Sequence, residues 1–174
     1  MMKKLPLPLL GIVAYSGTGK TTLLKMLIPL LRQHDIRVGL IKHSHHDMDV
    51  DTPGKDSYEL RKAGADQTMV ASDRRWALMT ERQGKGSVEL GYLASRFEHS
   101  SLDMIFVEGF KHEPIAKIAL FRPEVGKPLA GLIDEYVVAI ASNEQISETS
   151  LPILDINDAG SIAQFIVQWL KKQY

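Results

Sequence analysis

The sequence predicts an α/β fold: a mainly parallel sheet with helices on both faces, three layers in all, and an antiparallel extension at one side. Three observations carry this reading. Short apolar runs rich in branched residues alternate with helical stretches between Leu9 and Lys171. A glycine-rich turn, Ser16 to Gly19, stands between the first apolar run and the first helical stretch. Two runs near the middle, Gln67 to Ser72 and Trp76 to Thr80, are separated only by Asp73-Arg74-Arg75, which is hairpin spacing. No internal repeat, low-complexity tract or linker divides the 174 residues, so 1–174 reads as one domain.

In chain order, Leu9 to Ala14 is apolar throughout, as a strand covered on both faces must be. Thr21 to about Arg32 is a helix whose stripe is Leu23, Leu24, Leu27, Ile28 and Leu31, with Pro29 expected to kink or end it early. Arg37 to Lys42 is a second strand. A polar stretch, His43 to Lys55, follows, with Pro53-Gly54 as a turn signal. Asp56-Ser57-Tyr58-Glu59 reads as a variant capping box opening a short helix, and Gly64 closes it. After the hairpin come an amphipathic helix from Val88 to Phe97 and a buried strand from Met104 to Val107 that ends in Glu108-Gly109. Further strands are expected at Ala116 to Phe121, Val137 to Ala141 and Pro152 to Leu154. Asp158 then caps a helix from Ala159 to about Lys171, with Ile162, Phe165, Ile166 and Trp169 inward.

Composition removes several classes. Lysine plus arginine equals aspartate plus glutamate at 21 each, so no net field draws the chain to nucleic acid or to an anionic membrane. Cysteine is absent, which excludes disulfides, thiolate metal sites and a cysteine nucleophile, and suits a cytoplasmic protein. Met1 to Tyr15 has the charge-then-apolar layout of a signal peptide. Pro6 and Pro8 interrupt it, however, and cleavage would remove the first strand, so none is expected. No apolar run approaches the ~18 residues of a membrane span.

Chemistry enters at Ala14-Tyr15-Ser16-Gly17-Thr18-Gly19-Lys20-Thr21-Thr22. Gly17 and Gly19 let the backbone turn tightly and approach an anion, and the first N–H groups of the following helix converge on the same point. Ser16 to Thr22 are therefore the candidate phosphate-binding residues, with Lys20 reaching the outer phosphates and the Thr21 hydroxyl placed for Mg²⁺. The pattern is that of a P-loop except at its first position, where Ala14 replaces glycine at the strand end. The predicted fold is accordingly the three-layer P-loop NTPase type. Such sites need a second carboxylate at a neighbouring strand end, to hold Mg²⁺ through water or to position an attacking water. Glu108 is the candidate, for metal and for catalysis, and Lys111 is a candidate phosphate contact.

Together, Ser16-Gly17-Thr18-Gly19-Lys20-Thr21-Thr22, Leu40-Ile41-Lys42-His43 with His45-His46-Asp47, Pro53-Gly54-Lys55-Asp56-Ser57 and Val107-Glu108-Gly109-Phe110-Lys111 resemble one family. It is the molybdopterin-guanine dinucleotide biosynthesis adapter family, protein B of that pathway, and the likeness runs in order from about Leu9 to Trp169. The resemblance implies a GTP-binding protein with at most weak GTPase activity, usually a homodimer. It also implies that the protein assists the molybdenum cofactor guanylyltransferase joining GMP to molybdopterin. Guanine preference rests on that likeness alone, because no N-K-x-D or T-K-x-D segment is present; Ser142-Asn143 and Asp155 to Asp158 are the candidate base contacts.

The histidine–aspartate stretch Lys42 to Asp51 leaves alternatives open. It could fold over Mg²⁺ and the γ-phosphate, with Asp47 as metal ligand and catalytic group. It could hold the pterin phosphate through Lys42, His43, its neighbouring histidines and Lys55. It could bind a transition metal, or be a solvated polar loop; the phosphate and Mg²⁺ readings together are favoured. Two other function classes compete with the adapter: a stand-alone small-molecule kinase, whose lid arginine could come only from Arg74, Arg75 or Arg122, and a nucleotide-gated metal-insertion GTPase.

Overall fold

The computed structural model describes residues 7–44, 49–82, 84, 86–147 and 149–174. They form two compact units, one of residues 1–43 with 88–174 and the other of residues 44–87.

The larger unit is built on six parallel strands: β1 Leu9–Ala14, β2 Val38–Lys42, β5 Met104–Glu108, β6 Ala116–Phe121, β7 Val137–Ser142 and β8 Ile153–Asp155. Their spatial order is β2-β5-β1-β6-β7-β8, so β1 lies inside the sheet between β5 and β6. Its continuous apolar run follows from that place, since alternate residues enter two different cores. Leu10 and Ile12 pack with Phe106, Ile118 and Leu120 against α1 (Lys20–Gln33) and α4 (Ala159–Lys171). On the opposite face, Leu9, Ile105 and Val107 pack with Ile41 and with Leu90 and Ala94 of α3 (Leu90–Ser95). Val13, Ala119 and Ile140 meet Leu132 in a third cluster.

Helix α1 continues past Pro29 to Gln33, contrary to the early ending expected. Proline removes only its own N–H bond, here to the carbonyl of exposed Lys25, which water can satisfy. Leu27 and Leu31 on the other side are fully buried, each contributing on the order of 1.5–3 kcal/mol, which offsets the proline cost of about 3 kcal/mol. Ile28 does not belong to that stripe and is exposed. In α4 the Asp158 carboxylate accepts from Ser161 N–H at 3.0 Å, the expected cap. The fully buried residues of that helix are Ile162 and Ile166, with Phe165 and Trp169 only partly covered.

Among the described residues one charged side chain is buried inside the sheet. Lys117 of β6 is 1% exposed, bonded to Asp134, with its ammonium 5.4 Å from the ring centre of Tyr136. Gly11 is its neighbour on β1, and a Cβ there would stand 3.0 Å from Lys117 Cγ. The small residue makes room for the long one.

The smaller unit holds α2 (Asp56–Lys62) and the antiparallel pair β3 (Gln67–Ser72) and β4 (Arg75–Thr80). The antiparallel part is thus a two-stranded sheet of its own. The capping box at Asp56 does not form: Lys55 is the N-cap in extended backbone, no side chain caps the helix, and Asp56 and Glu59 lie in its first turn. There the two carboxylates face the positive end of the helix dipole instead. No helix among the described residues is long and apolar enough to cross a membrane.

Candidate functional site

The turn after β1 is shaped by two residues in the left-handed region, Gly17 at φ +84° and Gly19 at φ +96°. A side chain at either would strain the backbone, so the sequence of glycines is a requirement of this turn. Thr18 between them is 2% exposed and braces the loop: its hydroxyl donates to the Tyr15 carbonyl at 2.9 Å, and its N–H approaches the same oxygen at 3.4 Å. The Tyr15 hydroxyl in turn donates to the Pro128 carbonyl at 2.9 Å. Gly19 is the N-cap of α1, no side chain caps that end, and no acid lies in the first turn. The helix therefore begins with N–H groups and a positive dipole end that an anion can satisfy. Ser16, Gly17, Gly19, Thr21 and Thr22 are exposed there.

Two further strands end beside this loop. Glu108 is in register with Ile12 of β1 on one side and with Lys42 of β2 on the other. Its carboxylate lies 3.8 Å from the Lys20 ammonium, both side chains being largely covered. The pair has the separation of a weak ion pair, one that phosphate oxygens can compete for. The Glu108 carbonyl accepts the His43 N–H at 2.9 Å, and the imidazole packs 5.2 Å from the Phe110 ring centre. Gly109, at φ +91°, makes this crossing possible, for a Cβ would stand 2.9 Å from both Cβ and the carbonyl oxygen of His43.

The structure thus brings Lys20, Glu108, Lys42 and His43 to one end of three adjacent strands. Lys42 is exposed at its strand end, and Lys111 is exposed in the turn after Gly109. Asp47, with His45 and His46, lies outside the described residues. The neighbouring acids do have a position. Asp49 and Asp51 bond to Arg61 at 2.6 and 2.8 Å, and Glu81 joins them at 2.9 Å. Bonding to Arg61 holds the Asp51 carboxyl below the usual range, and the three acids push the Arg61 guanidinium up. Those carboxylates close a structural cluster in the smaller unit, and no group of three metal-ligating residues occurs among the described residues.

Arg122 is the contact that sequence reading passed over. Considered only as a lid arginine, it donates from Nε to the Thr18 carbonyl at 3.2 Å and from its terminal nitrogen to Asn157 Oδ1 at 2.7 Å. It is built into the phosphate loop's wall. Arg74 sits in the hairpin turn of the smaller unit and Arg75 opens β4.

Known proteins resemble the chain in sequence and in fold. A family model described as molybdopterin guanine dinucleotide synthesis protein B matches residues 9–143. A molybdopterin-guanine dinucleotide biosynthesis adapter protein of Escherichia coli is 58% identical over 174 residues, covering 99% of both chains. Its counterpart from Haemophilus influenzae is 53% identical, over 94% of this chain and 90% of that one. A crystal structure of molybdopterin-guanine biosynthesis protein B superposes with a TM-score of 0.76 over 94% of this chain and 99% of that one, at 24% identity, which speaks for the fold. The chain belongs to the molybdopterin guanine dinucleotide synthesis protein B family.

Proposed function

We propose that this protein is a GTP-binding adapter in molybdopterin guanine dinucleotide biosynthesis, assisting the guanylyltransferase that attaches GMP to molybdopterin. It acts in the cytoplasm as one nucleotide-binding domain over residues 1–174. The observation that carries the reading is the phosphate loop, with its two left-handed glycines, an uncapped helix end and Lys20 facing Glu108 across 3.8 Å. The relatives named above as adapters, matched over nearly their whole length, supply the pathway.

The residues present fit Mg²⁺: an exposed threonine hydroxyl, Thr21, at the helix start and the carboxylate of Glu108 give hard oxygen donors. Bound there, the ion would neutralise charge on the phosphates. The chain's own groups then divide the work. The loop N–H groups and Lys20 hold the phosphates, and Glu108 orients a water at the far side. Lys42, His43 and Lys111 stand at the rim, where a phosphorylated pterin would be held; Asp47 is the further candidate for metal and water. Arg122 is committed to the loop and to Asn157, so it does not serve as a closing lid. That fits a weak GTPase better than a rapid kinase.

Glu108→Gln should keep most nucleotide affinity and slow hydrolysis on the order of 100-fold, followed as phosphate release under single turnover. Wild-type hydrolysis in that variant would leave Glu108 as a turn residue only. Titration of GTP against ATP, with and without molybdopterin, tests the reading as a whole; equal binding unaffected by the pterin would overturn it.

The homodimer is part of the same reading. One face of the β3–β4 hairpin exposes Met69 at 60% and Trp76 at 66%, an apolar surface that a second copy would cover. Trp76→Glu should weaken dimerisation by at least about 30-fold, roughly 2 kcal/mol, as read by light scattering over a dilution series. A wild-type protein that stays at 19.4 kDa at micromolar concentration would refute the dimer.

A further inference from the structure

Four adjacent parallel strands, β1, β6, β7 and β8, end in a row, and the residues just past those ends form one rim beside the phosphate loop. Arg122 follows β6 and ties the rim together, reaching Thr18 on the β1 side and Asn157 past β8. The turn past β7 is fixed by the Ser142 hydroxyl, which accepts the Glu144 N–H at 3.1 Å. That turn presents Asn143.

Asn143 Nδ2 donates to Glu124 Oε1 at 2.5 Å. A carboxylate only accepts, so the amide must turn its nitrogen to Glu124 and its oxygen away. Asn143 Oδ1 is shielded from water and has no hydrogen-bond partner among the described residues. A buried acceptor left so is costly unless a donor arrives from outside the chain. Glu124 and Glu144 are exposed, so the rim faces solvent. Glu124 itself is held ionised, its carboxyl kept below the usual range by its own backbone N–H, by Asn143 and by the Arg122 charge. The rim therefore offers two acceptors close together, one charged and one without a donor, in the wall of a phosphate site.

We propose that this rim is the base-reading subsite of the bound nucleotide, and that Glu124 and Asn143 select guanine. The Watson–Crick edge of guanine presents two adjacent donors, N1–H and the 2-amino group, which match two acceptors. Adenine presents one donor and the N1 lone pair, so one acceptor would face another. A site built on buried hydrogen-bonding groups rejects the mismatched ligand strongly for that reason. The proposal rests on the nucleotide reading above and supplies the specificity that the missing base signature left unexplained. Arg122 acts as a positioning residue, bracing the rim to the phosphate loop.

The test is calorimetric titration of GTP, ITP, ATP and inorganic tripolyphosphate with Mg²⁺, in the wild type, Glu124→Gln and Asn143→Leu, each checked for folding by thermal melting. ITP lacks the 2-amino group, and tripolyphosphate reports the phosphate loop without a base. The wild type should rank GTP above ITP above ATP, and each variant should lower the GTP-to-ATP affinity ratio by about tenfold or more. Tripolyphosphate bound by the wild type with no discrimination among the three nucleotides overturns this site and leaves the phosphate loop standing. So does discrimination that survives in both variants, or a fall in GTP affinity matched by an equal fall for tripolyphosphate. A wild type that binds none of the four ligands overturns the nucleotide reading itself, and the base site with it.

Discussion

Lys20→Ala should abolish the thermal stabilisation that Mg²⁺-GTP gives the wild type. A ligand at a hundred times its Kd stabilises the folded state by about 2.7 kcal/mol, which for a domain of this size is roughly 5–10 °C in Tm. The loop N–H groups would still face the anion, but the ammonium on the outer phosphates would be gone, and with it the charge-assisted bonds. Free of ligand, the variant should melt close to the wild type. Among the described residues Lys20 pairs with Glu108 at 3.8 Å, and such a pair contributes about 0–1 kcal/mol. Differential scanning fluorimetry at several GTP concentrations reads both effects. A variant that is stabilised as much as the wild type would remove Lys20 from the site.

The second large effect is expected only in company. Added to the guanylyltransferase with molybdopterin and limiting GTP, the protein should raise dinucleotide formation, and Lys20→Ala should give no stimulation. His43→Ala should weaken the stimulation without unfolding the chain, because its backbone N–H bond to the Glu108 carbonyl survives the change. The reason to look for the effect in a partner assay is the arrangement of arginines. Arg122 is held by Thr18 and Asn157, and an arginine poised to close over the transferring phosphate is worth several orders of magnitude in rate. Vigorous phosphorylation of a small acceptor by the purified chain alone would sink the adapter reading.

Local chemistry made much of the larger unit legible. The strand Leu9–Ala14 is apolar because both its faces are covered, and an all-apolar run beside a glycine turn has few other homes. Asp158 caps α4 through a bond only three residues long, so the signal lies within one turn of chain. Where a local rule failed, burial elsewhere outweighed it. Pro29 is tolerated because its face of α1 meets water while Leu27 and Leu31 hold the other side. Asp56 also departs from its local rule, lying inside the first turn of α2 with Lys55 at the cap.

The geometry of the glycine turn needed nothing beyond the sequence, since its glycines, its lysine and the helix start are consecutive residues. Glu108 needed only the apolar run before it. What tertiary structure alone decided are the contacts between residues far apart in the chain: Arg122 with Thr18 across 104 positions and Asn143 with Glu124 across 19. Arg61 with Asp49 and Asp51, and Lys117 inside the sheet with Asp134, are of the same kind. A charged or amide side chain carries no periodicity, and its cost of burial depends wholly on which partner the fold delivers. Hydrophobic spacing and glycine placement are written along the chain, whereas polar partnership is settled only when distant strand ends come to lie side by side.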